Sequence, residues 1–152
     1  MELRDLYQEI IVDHNRRPRN FGALSGFTHS AQGFNPLCGD KLTLYIVIDD
    51  NDVIKEISFE GSGCAISVAS ASLLTESLKG QPIARADQLF AQLHEVFTNS
   101  EEPDELEKLG KLGALAGVRA YPSRVKCASL SWHALNNALH GDRTDENTAT
   151  TE

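Results

Sequence analysis

Positive charge is scarce in this 152-residue sequence: 14 lysines and arginines stand against 22 aspartates and glutamates, for a net charge of −8. Such a surface repels phosphate backbones, so nucleic-acid binding is excluded as a working class. Long apolar runs are missing too. The longest span only a few residues, well short of the roughly 20 that cross a bilayer, and no membrane insertion is expected. Cysteine is the third shortage, with three in the whole chain. An odd number with no Cys-x-x-Cys pair, and no secretory leader in Met1-Glu2-Leu3-Arg4-Asp5, argue for free thiols in a reducing compartment, the cytoplasm by default. A chain of this length is about one domain and can bury a core without disulfide staples.

What cysteine there is sits in unusual company. The three lie in Asn35-Pro36-Leu37-Cys38-Gly39-Asp40, Gly61-Ser62-Gly63-Cys64-Ala65-Ile66-Ser67 and Arg124-Val125-Lys126-Cys127-Ala128. Inert core cysteines replace small apolar residues inside regular elements, whereas these interrupt the chain at turns and helix starts, where thiols can converge.

The order of elements says how they could meet. Leu3, Leu6, Tyr7, Ile10, Ile11 and His14 recur at helical spacing, predicting an amphipathic helix over 2–14 that ends before Pro18. A short strand is expected near His29 to Phe34. Leu42, Leu44, Ile46 and Ile48 alternate with Thr43, Tyr45 and Val47; Asp49-Asp50-Asn51-Asp52 forces a turn, and Val53 to Glu60 resumes the alternation. The two runs read as an antiparallel hairpin with Cys38 just before its first strand and Cys64 just after its second, so both fall at one edge. Cys64 to Lys79 reads as a helix closed by Gly80, with Cys64 at its N-terminus, where unpaired N–H groups favour a thiolate. Pro82 to Thr98 is a second amphipathic helix. Asp104 to Gly117 is a weak, glycine-interrupted one. Tyr121-Pro122-Ser123 opens the last helix, with Cys127 in its first turn, Trp132 as a packing anchor and Gly141 as its stop. Residues 1–141 thus form one domain, and the polar 142–152 segment is expected to be a frayed tail.

Cys38, Asp40, Cys64 and Cys127 supply the four ligands that zinc prefers, and Gly39 provides the tight turn that lets Cys38 and Asp40 address one ion. Arg124 and Lys126 flank Cys127 and are placed to offset the excess negative charge. The same soft donors suit an iron–sulfur cluster. Three plainer readings stand beside these: a purely structural zinc, inert buried thiols, and a Cys127–His133 hydrolase pair, which one helix would set on different faces. His14, His29, His94 and His140 show no ligand spacing and are expected at the surface or core edge. The Arg16, Arg17 and Arg19 cluster reads as the solvated end of the first helix.

The motifs Asn35-Pro36-x-Cys38-Gly39-Asp40, Gly61-x-Gly63-Cys64-x-Ile66-Ser67 and Arg124-x-Lys126-Cys127-Ala128-x-Leu130-x-Trp132, with His14-Asn15-Arg16-x-Pro18 and Asn20-Phe21-Gly22, resemble the NifU/IscU-type iron–sulfur assembly family and specifically its SufU branch. General scaffold members usually carry histidine before the third cysteine, where this sequence has Lys126. The long stretch between Cys64 and Cys127 also resembles the SufU insertion. The resemblance implies an α+β, SufE/NifU-like fold, a small antiparallel sheet of about three strands with helices packed on it. It also implies zinc held by Cys38, Asp40, Cys64 and Cys127, and a PLP-dependent cysteine desulfurase of the SufS type that passes persulfide sulfur to Cys38 for downstream assembly proteins. A histidine of the desulfurase then replaces Cys38 on the metal. The alternative it leaves is a scaffold on which a cluster is built and handed on. With such a partner in view, the three arginines could also dock on an acidic surface.

Overall fold

The computed structural model describes residues 3–36, 38–98, 110–115, 122–140 and 148–150. Its frame is the expected three-stranded antiparallel sheet, β1 (His29–Asn35), β2 (Asp40–Ile48) and β3 (Ile54–Ser62), with helices packed on one face. A fourth short strand, β4 (Thr148–Thr150), pairs parallel with β1 and completes the order β3-β2-β1-β4. It lies within the segment expected to be a tail; the rest of that segment falls outside the described residues, as does most of the expected weak helix. Residues 110–115 of the latter form a 3-10 turn.

Alternation sets the two faces of the sheet. Ala31, Leu42, Leu44, Ile46, Ile57 and Phe59 point inward and are buried, while Gln32, Phe34 and Lys41 face solvent. The β2–β3 turn is built by Asp49, whose Oδ1 accepts from the backbone N–H groups of Asn51 and Val53 at 2.9 and 3.0 Å. Pairing of Asn35 with Asp40 puts Pro36, Cys38 and Gly39 in the turn of the β1–β2 hairpin, and pairing of Lys41 with Ser62 carries the end of β3 alongside it. One sheet edge therefore holds both the Cys38 turn and the exit of β3.

The helices are α1 (Leu3–Arg16), α2 (Ala65–Leu78), α3 (Ile83–Thr98) and α4 (Pro122–His140). Small hydroxyl residues let α2 and α4 approach closely. Ser70 Oγ donates to the carbonyl of Ala128 at 2.5 Å and accepts from Trp132 Nε1 at 3.2 Å, which satisfies the indole of the largest buried side chain. That lock fixes α4 one residue beyond Cys127. Among the described residues no helix is long and apolar enough to cross a membrane.

His14 departs from expectation. It is 1% exposed, at the seam of α1 and α2, because its Nδ1 shares a 2.7 Å hydrogen bond with Ser72 Oγ. Its Nε2 is buried without a partner, and burial followed by the nearby Arg19 cation hold its pKa below 6.5, with Lys111 adding to that and Glu76 and Asp13 opposing it. The folded chain thus keeps His14 neutral where the unfolded chain begins to protonate it. The sign follows: stability is full above about pH 6.5 and falls as pH drops below it, until the folded-state pKa is passed. Urea midpoints measured between about pH 8 and 5 should fall less steeply for His14→Gln than for the unaltered chain. Half-buried His133, whose pKa is also lowered, contributes to both slopes and cancels in the comparison. Equal slopes would show that His14 carries none of the effect.

Arg19 is likewise committed to the fold, pairing with Asp13 at 2.6 Å and Glu76 at 3.6 Å. Of the basic cluster, Arg16 and Arg17 are the exposed members.

Candidate metal centre

The register described above brings the functional side chains to one place. Asn35 and Asp40 face each other across the hairpin with both side chains inward and fully buried. Asp40 Oδ1 accepts the backbone N–H of Cys64 at 2.7 Å, and Asn35 Nδ2 donates to Asp40 Oδ2 at 3.3 Å and lies 3.5 Å from Cys127 Sγ. Gly63 makes room for that carboxylate: a Cβ there would collide with it and stand 3.1 Å from Asp40 Cα. Gly39 takes φ +69°, a left-handed turn that glycine adopts without strain.

Each thiol arrives differently. Cys64 is the N-cap of α2, its sulfur accepting from Ser67 N–H at 3.4 Å, as the Gly-Ser-Gly break predicts. Cys38 is exposed in the hairpin turn. Cys127 is the sixth residue of α4, so it belongs to the second helical turn and not to the first; α4 packs against β1 and β2 there and leaves it 2% exposed. Its Sγ is 3.4 Å from Cys38 Sγ. One donor atom each from Cys38, Asp40 and Cys127 lie within 4.8 Å of one another, and Cys64 Sγ joins at 3.9 Å from Asp40 Oδ2. Burial, then hydrogen bonding with the neighbouring Asp40, Cys38 and Cys64, drives the Cys127 pKa far upward and holds that thiol in its protonated form. Among the described residues no lysine or arginine forms an ion pair with the buried Asp40. Buried anionic donors without a compensating charge are costly, and a divalent cation supplies that charge. The donor set therefore fits a soft, small metal ion.

A model of the NifU-like N-terminal domain matches residues 6–128. The chain belongs to that family. Similar relatives of this NifU-like protein include the Bacillus subtilis zinc-dependent sulfurtransferase SufU, 39% identical over 90% of this chain and 91% of its own, and the Streptococcus pyogenes iron–sulfur cluster assembly scaffold protein IscU, 38% identical over 91% and 85%. Among solved structures, Fervidobacterium islandicum FiSufU, a candidate scaffold for the SUF system, superposes with a TM-score of 0.79 at 33% identity, covering 91% of this chain and 99% of that one. These findings support a role in iron–sulfur cluster assembly.

Of the residues singled out from sequence, the structure gathers Cys38, Asp40 and Cys127 into one mutually close group; Cys64 lies beside Asp40 but outside that group. Arg124, three residues before Cys127, shares its side of α4 and is exposed; Lys126, one residue before, is turned about 100° away and is half-buried. His133 lies on another part of α4, its ring 5.8 Å from Phe90, away from the thiols, which removes the Cys–His pair. Asn35 and Gly63 carry more than their motifs announced. Their signal was parity: counted inward along β1 and β2, Asn35 falls on the face of Asp40.

Proposed function

We propose that this NifU-like protein is a zinc-dependent sulfur-transfer protein of iron–sulfur cluster assembly, accepting persulfide sulfur on Cys38 from a PLP-dependent cysteine desulfurase of the SufS type. The observation that carries the reading is one exposed thiol, Cys38, set against a buried thiol and a buried carboxylate with which no lysine or arginine among the described residues forms an ion pair. Cys38, Asp40, Cys64 and Cys127 would hold the zinc, and zinc stabilises thiolate over thiol at neutral pH. The name of the Bacillus subtilis relative supports that choice of metal.

The residues divide the work. Asp40, Cys64 and Cys127 are fixed by the sheet, the α2 cap and the α2–α4 lock, while Cys38 rides on a turn next to a left-handed glycine and can move toward a partner. In the transfer the Cys38 sulfur attacks the outer sulfur of the desulfurase persulfide. A new S–S bond joins that sulfur to Cys38, the old one breaks, and the desulfurase cysteine leaves as a thiolate. The desulfurase remains the catalyst of C–S cleavage; this chain raises its turnover by unloading it, then hands the sulfur to downstream assembly proteins. The cytoplasm suits such exchangeable thiols.

The scaffold alternative rests on the relatives named IscU. Metal analysis of chain purified without added metal separates the two. Sulfur transfer expects a colourless protein with about one zinc per chain that stimulates the desulfurase and loses the effect on chelation. A brown protein whose cluster passes intact to an apo-protein would establish the scaffold instead.

A further inference from the structure

We propose that Cys38 and Cys127 form a reversible intramolecular disulfide when the metal-free chain meets a hydroperoxide, and that this bridge switches the site off. Three observations carry it. The two sulfurs already lie 3.4 Å apart, so they need only close to the roughly 2.05 Å of a disulfide. Cys38 is exposed, and its turn contains Gly39 at φ +69° with open space around it, so the mobile partner is also the one an oxidant reaches. Cys127 is buried directly behind it on a helix pinned by Ser70 and Trp132, an arrangement of attacking and resolving thiols. Cys64 is the wrong partner. Its sulfur is held as the α2 cap by Ser67 N–H and stands 3.9 Å from Asp40 Oδ2, outside the close group that Cys38 and Cys127 form with Asp40.

The chemistry balances with the hydroperoxide as two-electron oxidant. Cys38 sulfur takes one peroxide oxygen as the O–O bond breaks, giving a sulfenic acid and one water when the oxidant is hydrogen peroxide. Cys127 sulfur then attacks the sulfenic sulfur; the S–S bond forms, the S–O bond breaks, and a second water leaves with the Cys127 proton. A dithiol reverses the change by exchange. Two of the four donors, including the proposed sulfur acceptor, are then consumed. The shut-off rests on the zinc-dependent reading above, whereas the bridge itself does not.

The test treats metal-free, reduced chain with hydrogen peroxide and counts thiols by maleimide labelling. Free thiols should fall from three to one, the monomer should lose two hydrogens in mass, and peptide mapping should join Cys38 to Cys127. Dithiothreitol should restore all three thiols. Cys64→Ser, which keeps an N-cap oxygen, should still bridge. A bridge containing Cys64, dimers linked between chains as the main product, or independent sulfinic acids with no bridge would overturn the proposal. Bridged chain that binds zinc as tightly as reduced chain would overturn the shut-off. Reduced chain that binds no zinc at all would instead remove the proposed function and leave the bridging result standing.

Discussion

Replacing Cys38 with alanine should abolish sulfur uptake while leaving the chain folded. The residue lies in the turn between β1 and β2, exposed, so its truncation removes no core packing and stability should stay within about 0.5 kcal/mol of the original. No other sulfur can take its place. Cys127 is sealed behind the turn at 2% exposure, and Cys64 is half-buried and engaged as a helix cap. With labelled cysteine as substrate, label should transfer from the desulfurase to the unaltered chain and not to the variant. Sulfide release should fall to the rate of the desulfurase alone. Three proposed ligands remain in the variant, so excess zinc in the assay separates loss of the acceptor from loss of the ion. Stimulation that survives the substitution would remove the relay mechanism.

How much of this arrangement could be read from the sequence depends on the range of the contacts involved. Local patterns carried the sheet: alternation from Leu42 to Ile48, the acidic turn, and resumed alternation to Glu60 define a hairpin whatever packs on it. Gly61-Ser62-Gly63 likewise marked Cys64 as the start of α2, because a cap is a local device. Cys127 lies one turn further into α4 than the sequence pattern predicts. The signal for the correct position was present in Pro122, which favours the first helical position and so puts a residue five places later beyond the first turn. His14 failed for a different reason. Its partner Ser72 is 58 residues away on α2, and no pattern within α1 reports that a buried hydroxyl is waiting for an imidazole. β4 has no legible signal because three residues, Thr-Ala-Thr, are too few to establish a period. The meeting of Cys38, Asp40 and Cys127, with Cys64 beside Asp40, stands between these cases. Spacing suggested that they could meet, but the meeting depends on the Asn35–Asp40 and Lys41–Ser62 pairings and on Ser70 drawing α4 against α2, all of them tertiary facts.

Gly63→Ala should weaken metal binding at the site without replacing any proposed ligand. The new Cβ would stand against the Asp40 carboxylate, 3.0 Å from its Cγ and 3.1 Å from Cα. The backbone has little freedom to retreat, because Leu42 pairs with Gly61 and Lys41 with Ser62 just upstream. Relief comes most readily by rotating the Asp40 side chain, which breaks its bonds to Cys64 N–H and Asn35 Nδ2. A buried carboxylate stripped of those donors should destabilise the metal-free chain by about 1–3 kcal/mol. Loss of a group that orients a ligand should weaken zinc by about 10–100-fold, read by competition with a chromophoric chelator. Gly39→Ala provides the contrast. Its φ of +69° makes the substitution costly in backbone strain, about 1–2 kcal/mol, but open space surrounds the added methyl. Comparable destabilisation with a much smaller change in zinc affinity is therefore expected at Gly39. If the two variants lose zinc equally, the effect belongs to strain in the loops; if Gly63→Ala keeps it, the carboxylate of Asp40 is not a ligand.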